Sequence, residues 1–103
     1  SGSERVVDGG AKRGFTNDTV KGHWATEGNV LTVSSGLWNR LSTGAAVTGN
    51  IKGSLPNVYT VDAGQKRWIQ GQASYQNYTL QYGAYVTVSD WLISLLPTAS
   101  NIP

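Results

Sequence analysis

The chain has 103 residues and a formal net charge of +2, with eight Lys and Arg, six Asp and Glu, one His and no Cys. This is the length of one domain, and the lack of Cys excludes disulfides, thiol nucleophiles and thiolate zinc sites. So few acid–base groups disfavour an enzyme, and we expect no cofactor and no metal. The basic residues are scattered, which argues against a nucleic-acid partner, and no apolar stretch approaches the roughly 20 residues of a membrane span.

The N-terminal segment, residues 1–22, is rich in Gly and charge. Its only large apolar side chains are Val6, Val7, Phe15 and Val20. A polar segment without hydrophobic periodicity is typical of a loop. We therefore predict a flexible N-terminal arm or loop over residues 1–22, followed by a single domain over residues 23–103.

From His23 onward, short runs of β-branched and aromatic residues alternate with Gly, Asn and Pro. This pattern is typical of strands separated by turns. In residues 75–82, apolar residues lie two or three apart, and we interpret this as period two. Strands or strand-like segments are predicted at 29–33, 58–61, 66–70, 75–82 and 85–88.

Only residues 89–97 are expected to be helical, because Ser89 or Asp90 can cap a first turn and Pro97 cannot continue a helix. At most a short helical turn near the C-terminus fits there. No internal repeat with a period of about 20 to 50 residues is visible. These features predict an all-β fold, either a small β-barrel or a sandwich.

The single histidine is the first candidate for chemistry. His23 lies between Asp18 and Glu27, a spacing that could supply a metal site, and it could also serve a small hydrolase or nuclease. Glycines on both sides of this group and the missing Gly-x-Ser-x-Gly motif favour a solvated His instead. We expect no catalytic residue.

A basic and aromatic run at Lys66, Arg67 and Trp68 could contact single-stranded nucleic acid. Two or three cations support little affinity at physiological salt. We therefore prefer a core Trp68 with two solvated cations at a strand end.

The aromatic content is the more informative signal. Four Trp and five Tyr exceed what a small core needs, since each ring buries about 150 to 250 Å². Tyr75, Tyr78 and Tyr82 lie among Gln and Asn, and they could hold an uncharged ligand by their ring faces while the amides form hydrogen bonds. The alternative is that these tyrosines only cover the barrel surface, with their hydroxyls in water.

Two longer motifs carry a resemblance. Residues 34–44 read Ser-Ser-Gly-Leu-Trp-Asn-Arg-Leu-Ser-Thr-Gly, and residues 51–61 read Ile-Lys-Gly-Ser-Leu-Pro-Asn-Val-Tyr-Thr-Val. With Trp68-Ile69 and Gly83-Ala84-Tyr85-Val86 after them, this order resembles the bacterial SH3-like domain that targets endolysins, bacteriocins and autolysins to cell walls. The likeness covers residues 23–92. Leu41-Ser42 replaces the family's Gly-Pro, and residues 71–82 form an insertion.

The resemblance implies an SH3-like β-barrel and a non-catalytic module that binds the peptide part of peptidoglycan. The partner would be peptidoglycan or a surface glycan, and the location would be outside the cell or in the cell wall, in a secreted or phage-encoded protein. A monomer is favoured over a homotrimer. The residues expected to contact the ligand are Trp38, Asn39, Tyr75, Tyr78 and Tyr82, and those expected in the core are Trp68, Val58, Val61, Leu37 and Val86.

Two other classes stay open. One is a trimeric phage tail-fibre or receptor-binding tip, with Leu92, Ile93, Leu95 and Leu96 in the subunit interface. The other is a carbohydrate-binding module.

Overall fold

A computed structural model describes residues 4–26 and 28–103. Over these residues the chain is a mixed α/β fold with seven strands and four helices. In chain order the elements are β1 (Val6–Asp8), β2 (Ala11–Phe15), α1 (Asp18–Trp24), α2 (Ser35–Arg40), β3 (Ser42–Val47), β4 (Asn50–Lys52), β5 (Val58–Asp62), β6 (Gln65–Trp68), α3 (Gln72–Tyr82), β7 (Val86–Thr87) and α4 (Asp90–Leu95).

The strands form two separate sheets. The first has the order β1-β2-β3, with β2 antiparallel to β1 and parallel to β3. The second has the order β6-β5-β4-β7, with β4 antiparallel to β5 and parallel to β7. Neither sheet closes on itself in the described part of the chain, so the prediction of an all-β, SH3-like barrel is wrong.

The flexible N-terminal arm in that prediction is also corrected. Gly9 and Gly10 have φ of 60° and 79°, which glycine adopts without steric cost, and they close the hairpin between β1 and β2. β2 then pairs with β3, and Val20 on α1 is fully buried. The segment needs few apolar residues to be ordered, because the backbone of β2 pairs with β1 on one side and with β3 on the other.

Three of the four helices begin at a capping side chain. Asn17 accepts a hydrogen bond from the Val20 amide at 2.9 Å, and Ser34 accepts one from the Leu37 amide at 3.2 Å. The predicted cap, Ser89, accepts from the Leu92 amide at 3.1 Å and begins α4. A helix does begin after Ser89, but the prediction that only residues 89–97 are helical is wrong, because α1, α2 and α3 are helices as well. The same N-cap signal was available for α1 and α2.

Two of the predicted strands are wrong. Residues 29–33 are irregular and exposed. Residues 75–82 belong to α3, because Tyr75, Tyr78 and Tyr82 recur at intervals of three and four, which is the helical period. Of the other predicted strands, 58–61 and 66–70 correspond to β5 and β6, and 85–88 contains the short β7.

The hydrophobic core consists of Val20, Trp24, Val47, Ile51, Val61, Val88 and Leu92. Of the predicted core residues, Val61 is fully buried, and Val58 and Val86 are half-buried. The predictions for Trp68 and Leu37 are wrong, because both side chains are exposed. Trp24 of the polar N-terminal half takes the place that we assigned to Trp68.

The two halves of the chain repeat one structure. In the β1–β2 hairpin, Val6 pairs with Arg13 and Asp8 pairs with Ala11. In the β5–β6 hairpin, Thr60 pairs with Arg67 and Asp62 pairs with Gln65. Each residue of the second hairpin follows its counterpart in the first by the same number of positions. The parallel pairs of β2 with β3, Lys12–Thr43 and Phe15–Val47, recur as the bridges Lys66–Thr98 and Ile69–Ile102. We call residues 6–47 the first unit and residues 58–102 the second unit. The offset between the units is longer than the periods of roughly 20 to 50 residues that are typical of sequence repeats.

Side-chain contacts repeat as well. Lys12 Nζ donates to the Trp38 carbonyl at 3.0 Å, as Lys66 Nζ donates to the Ile93 carbonyl at 2.6 Å. The arginine after each lysine donates a hydrogen bond to the last segment of its unit, which we call the returning segment: β3 in the first unit and residues 98–102 in the second. Arg13 Nε donates to Ala45 O, and Arg67 Nε donates to Ser100 O. Each Lys-Arg pair therefore holds a hairpin, a helix and a returning segment together within its unit.

Candidate functional site

Three aromatic rings lie side by side where α3 meets α1. The ring centroids of Tyr78 and Tyr82 are 5.7 Å apart, and those of Tyr82 and His23 are 4.8 Å apart. Tyr75 lies one turn earlier on the same face of α3. All four side chains are half-buried, and we call them the aromatic strip.

The residues just before β4 and at its start position the last turn of α3. Asn50 is buried, and its Nδ2 donates to the carbonyls of Tyr78 and Gly83 at 3.0 and 2.7 Å. Thr48 Oγ1 donates to the Ala84 carbonyl at 2.7 Å. These bonds tie carbonyls in the last part of α3 and just after it to Thr48 and Asn50, so they fix the end of α3 and its tyrosines.

Gly49 allows α3 to approach closely. A Cβ atom at this position would lie 2.7 Å from the Tyr82 Cβ, so any side chain here would displace the helix. We did not identify Gly49 or Asn50 from the sequence. The only local signal is the Gly-Asn dipeptide, which indicates a turn and says nothing of the helix that packs on it.

We expect Asn50→Ala to lower the free energy of unfolding by about 1 to 3 kcal/mol, because two partly buried carbonyls lose this donor. Urea unfolding followed by circular dichroism measures this loss. Asn39→Ala is the matched control, since Asn39 is exposed on α2, where Ala is well tolerated. A loss for Asn50→Ala no larger than that for Asn39→Ala would contradict the positioning role.

The strip ends at a pair of opposite charges. His23 Nδ1 lies 3.9 Å from Asp62 Oδ1, and Arg67 Nη1 lies 3.5 Å from Asp62 Oδ2. The neighbours of His23 in the sequence did not indicate that its ring contacts Tyr82 in the aromatic strip. The metal site considered from the sequence combined Asp18, His23 and Glu27, and Glu27 lies outside the described residues. Among the described residues, no group of three His, Asp or Glu side chains could hold a metal ion.

The amide residues of α3 divide between its faces. By helical period, Gln72 and Gln81 flank the tyrosine face, and Gln76 and Asn77 lie on the opposite side. Gln81 Nε2 also donates to Asn77 Oδ1 at 3.1 Å. Amides able to reach a ligand on the strip are therefore those of Gln72 and Gln81.

Trp38 and Asn39 form a second group on α2. Lys12 Nζ lies 4.8 Å from the centre of the Trp38 ring, and Arg5 Cζ lies 5.9 Å from it. Asn39 is exposed beside them. These contacts are with the first sheet, whereas Tyr78 and Tyr82 contact each other and α1. The five residues expected to contact a ligand thus lie in two groups.

A concave surface of the described residues lies elsewhere. It has a volume of about 520 Å³, lies along α1, and is bordered by the Glu4–Lys21 ion pair at 3.3 Å. It includes none of the predicted contact residues. The pair is partly exposed, so it adds little stability or specificity.

The apolar residues assigned to a trimer interface are mostly used within the chain. Leu92 belongs to the core, and Ile93 and Leu96 pack against it. Only Leu95 of the four is exposed, next to Trp91. Leu95 and Trp91 are therefore the apolar side chains that α4 leaves exposed.

Comparison of the chain with protein-family models, with curated proteins and with solved structures gives no match. The resemblance to the SH3-like domain therefore stays a prediction from the residues alone. Among the described residues, none of the helices combines the length and the apolar character that a membrane span requires.

Proposed function

We propose that the chain is a non-catalytic module that binds an uncharged polymer of the bacterial cell surface, namely peptidoglycan peptide or a surface glycan. The aromatic strip is its contact surface. The observation that carries this proposal is the row formed by Tyr78, Tyr82 and His23 at the surface. Among the described residues, the buried core is filled by Val, Ile and Leu with Trp24 as its only ring, so these three rings are not needed there.

The chemistry of the strip suits such a polymer. Ring faces contact the apolar faces of sugars and peptides, and flanking amides provide hydrogen bonds. The charges described at the strip's end, Asp62 and Arg67, lie within ion-pair distance and offset each other. A strongly charged ligand gains little there, and the proposed ligand places the module outside the cell.

We expect Tyr78→Ala to weaken binding to purified Gram-positive cell walls by about 1 to 3 kcal/mol, which is about 5- to 150-fold in Kd. Tyr78 is the central tyrosine on α3, so its loss interrupts the row. Cosedimentation of the labelled chain with walls measures the change. Tyr85→Ala is the matched control, because Tyr85 is exposed, lies outside the strip and has Lys52 near its ring.

Equal losses for the two variants, with native circular dichroism, would contradict the strip as the contact surface. A chain that binds walls from none of the species tested would overturn the proposal. A glycan array decides between its two ligands, since binding to sugars without peptide would identify a carbohydrate-binding module. Sedimentation velocity separates a monomer from the trimeric alternative.

A further inference from the structure

Identical residues at equivalent positions of the two units differ in burial. Three apolar side chains of the first unit are exposed, whereas their counterparts in the second unit are buried in the core. The pairs, with their exposed fractions, are Val7 at 46% and Val61 at 0%, Val33 at 41% and Val88 at 5%, and Leu37 at 49% and Leu92 at 6%.

In the second unit, β4 covers this face. It lies between β5 and β7 and adds the fully buried Ile51 to the core beside Val61, Val88 and Leu92. α1 of the first unit completes the cover with Val20 and Trp24. Equivalent apolar residues are therefore buried here by a strand that precedes the unit in the chain.

In the first unit, the place of that strand is open. β1 is an edge strand, and no strand among residues 4–26 and 28–103 pairs with its outer side. The offset that relates Asp8 to Asp62 puts the counterpart of β4 ahead of residue 1, so no described residue can fill it.

The rest of the first unit keeps the geometry that receives a strand. Ser34 caps α2 as Ser89 caps α4, and the Lys12–Trp38 bond holds α2 as the Lys66–Ile93 bond holds α4. Residues 30–33, which precede α2, therefore correspond to the segment that contains β7. They are exposed and irregular because no strand pairs with them.

We propose that the outer edge of β1, residues 30–33 and Leu37 form an acceptor site for one β-strand of the β4 type, supplied by polypeptide ahead of β1. The occupant is an extended segment with one apolar side chain between two polar ones, as in Asn50-Ile51-Lys52. It pairs antiparallel with residues 4–6 and parallel with residues 31–32, in the register that Ile51 has with Tyr59 and Val86. Exposed strand edges are usually covered or protected by charged side chains, and the added strand would cover the outer edge of β1.

The test is an extended chain in which residues 1–3 are replaced by Thr-Gly-Asn-Ile-Lys-Gly-Ser-Leu-Pro-Asn, a copy of residues 48–57. Each copied residue then precedes its original in residues 48–57 by the same number of positions by which Asp8 precedes Asp62. The matched control has the same extension with Asp in place of its Ile. We expect amide exchange at Leu31 and Val33, the counterparts of Val86 and Val88, to slow about tenfold or more relative to the control, because the Val88 amide donates to the Lys52 carbonyl of β4. We also expect Tm to rise by about 4 °C or more.

A second variant checks where the strand binds. Leu37→Asp removes the gain in the extended chain, because its charge faces the new strand, but changes little in the original chain, where Leu37 is exposed. Equal exchange and Tm for the Ile and Asp extensions would overturn the proposal. Self-association of the original chain with protection of Leu31 would also overturn it, since a second copy would then be the occupant.

Discussion

Leu92→Ala should lower the free energy of unfolding by about 2 to 5 kcal/mol, and Leu37→Ala by less than about 1 kcal/mol. Leu92 is in the core with Val61 and Val88, so its truncation leaves a cavity. Leu37 is its counterpart in the first unit and is half exposed. Urea unfolding of the two variants beside the original chain measures both losses.

Each variant is the control of the other. Leu37 is the third residue of α2 and Leu92 the third residue of α4, and both helices have six residues after a Ser cap. Helix propensity and the number of atoms removed are therefore the same, and only burial differs. Equal losses would mean that the first unit's face is covered as completely as that of the second.

The same comparison shows what local sequence could predict. Hairpin turns at Asp8-Gly9-Gly10 and Asp62-Ala63-Gly64, and the caps Ser34 and Ser89, are signals that chain neighbours provide. Thr32-Val33 and Thr87-Val88 have the same residues, yet only the second pair belongs to a segment with a strand, β7. The difference is β4, which pairs with β7 and has no counterpart beside residues 30–33 in the described part of the chain. Strand formation here depends on a partner that the local pattern does not contain.

The aromatic strip also could be predicted only in part from the sequence. The surplus of rings predicts that Tyr75, Tyr78 and Tyr82 include surface residues, and all three are half-buried. The contact of Tyr82 with His23 depends on how α3 packs against α1, and Asn50 and Gly49 determine that packing from another part of the chain. Composition could suggest the residues, but not the neighbours that hold them.

A buried ion pair of the first unit, between Asp8 and Arg13, is hydrogen-bonded to the second unit. Asp8 accepts a hydrogen bond from Arg13 Nη1 at 2.9 Å and two from the backbone and hydroxyl of Ser89. Arg13 Nη1 also donates to the Thr87 carbonyl at 3.1 Å. Both charged side chains are at most one-tenth exposed, so neither can be solvated if its partner is lost.

These bonds determine how Asp8 titrates. Burial raises the pKa of Asp8, but the hydrogen bonds from Ser89 and Arg13 together outweigh burial and hold the pKa below its ordinary value. A carboxyl whose pKa is lower in the folded than in the unfolded chain stabilises the fold above the unfolded pKa, about 3.9. That stabilisation is lost as the pH falls through the folded pKa.

Asp8→Asn should therefore lower the free energy of unfolding by about 3 kcal/mol at pH 7, because it leaves the Arg13 charge buried and unpaired. The deficit relative to the original chain should begin to shrink as the pH falls below about 4, because Asp8 of the unfolded chain then takes up a proton before Asp8 of the folded chain does. The repeat supplies the matched control: Asp62 is the counterpart of Asp8, is half exposed, and lies 3.5 Å from Arg67, so Asp62→Asn should cost at most about 1 kcal/mol. Urea unfolding between pH 3 and pH 7 measures all three chains. A deficit for Asp8→Asn that stays constant over this range would show that the carboxylate's charge is not what the network stabilises.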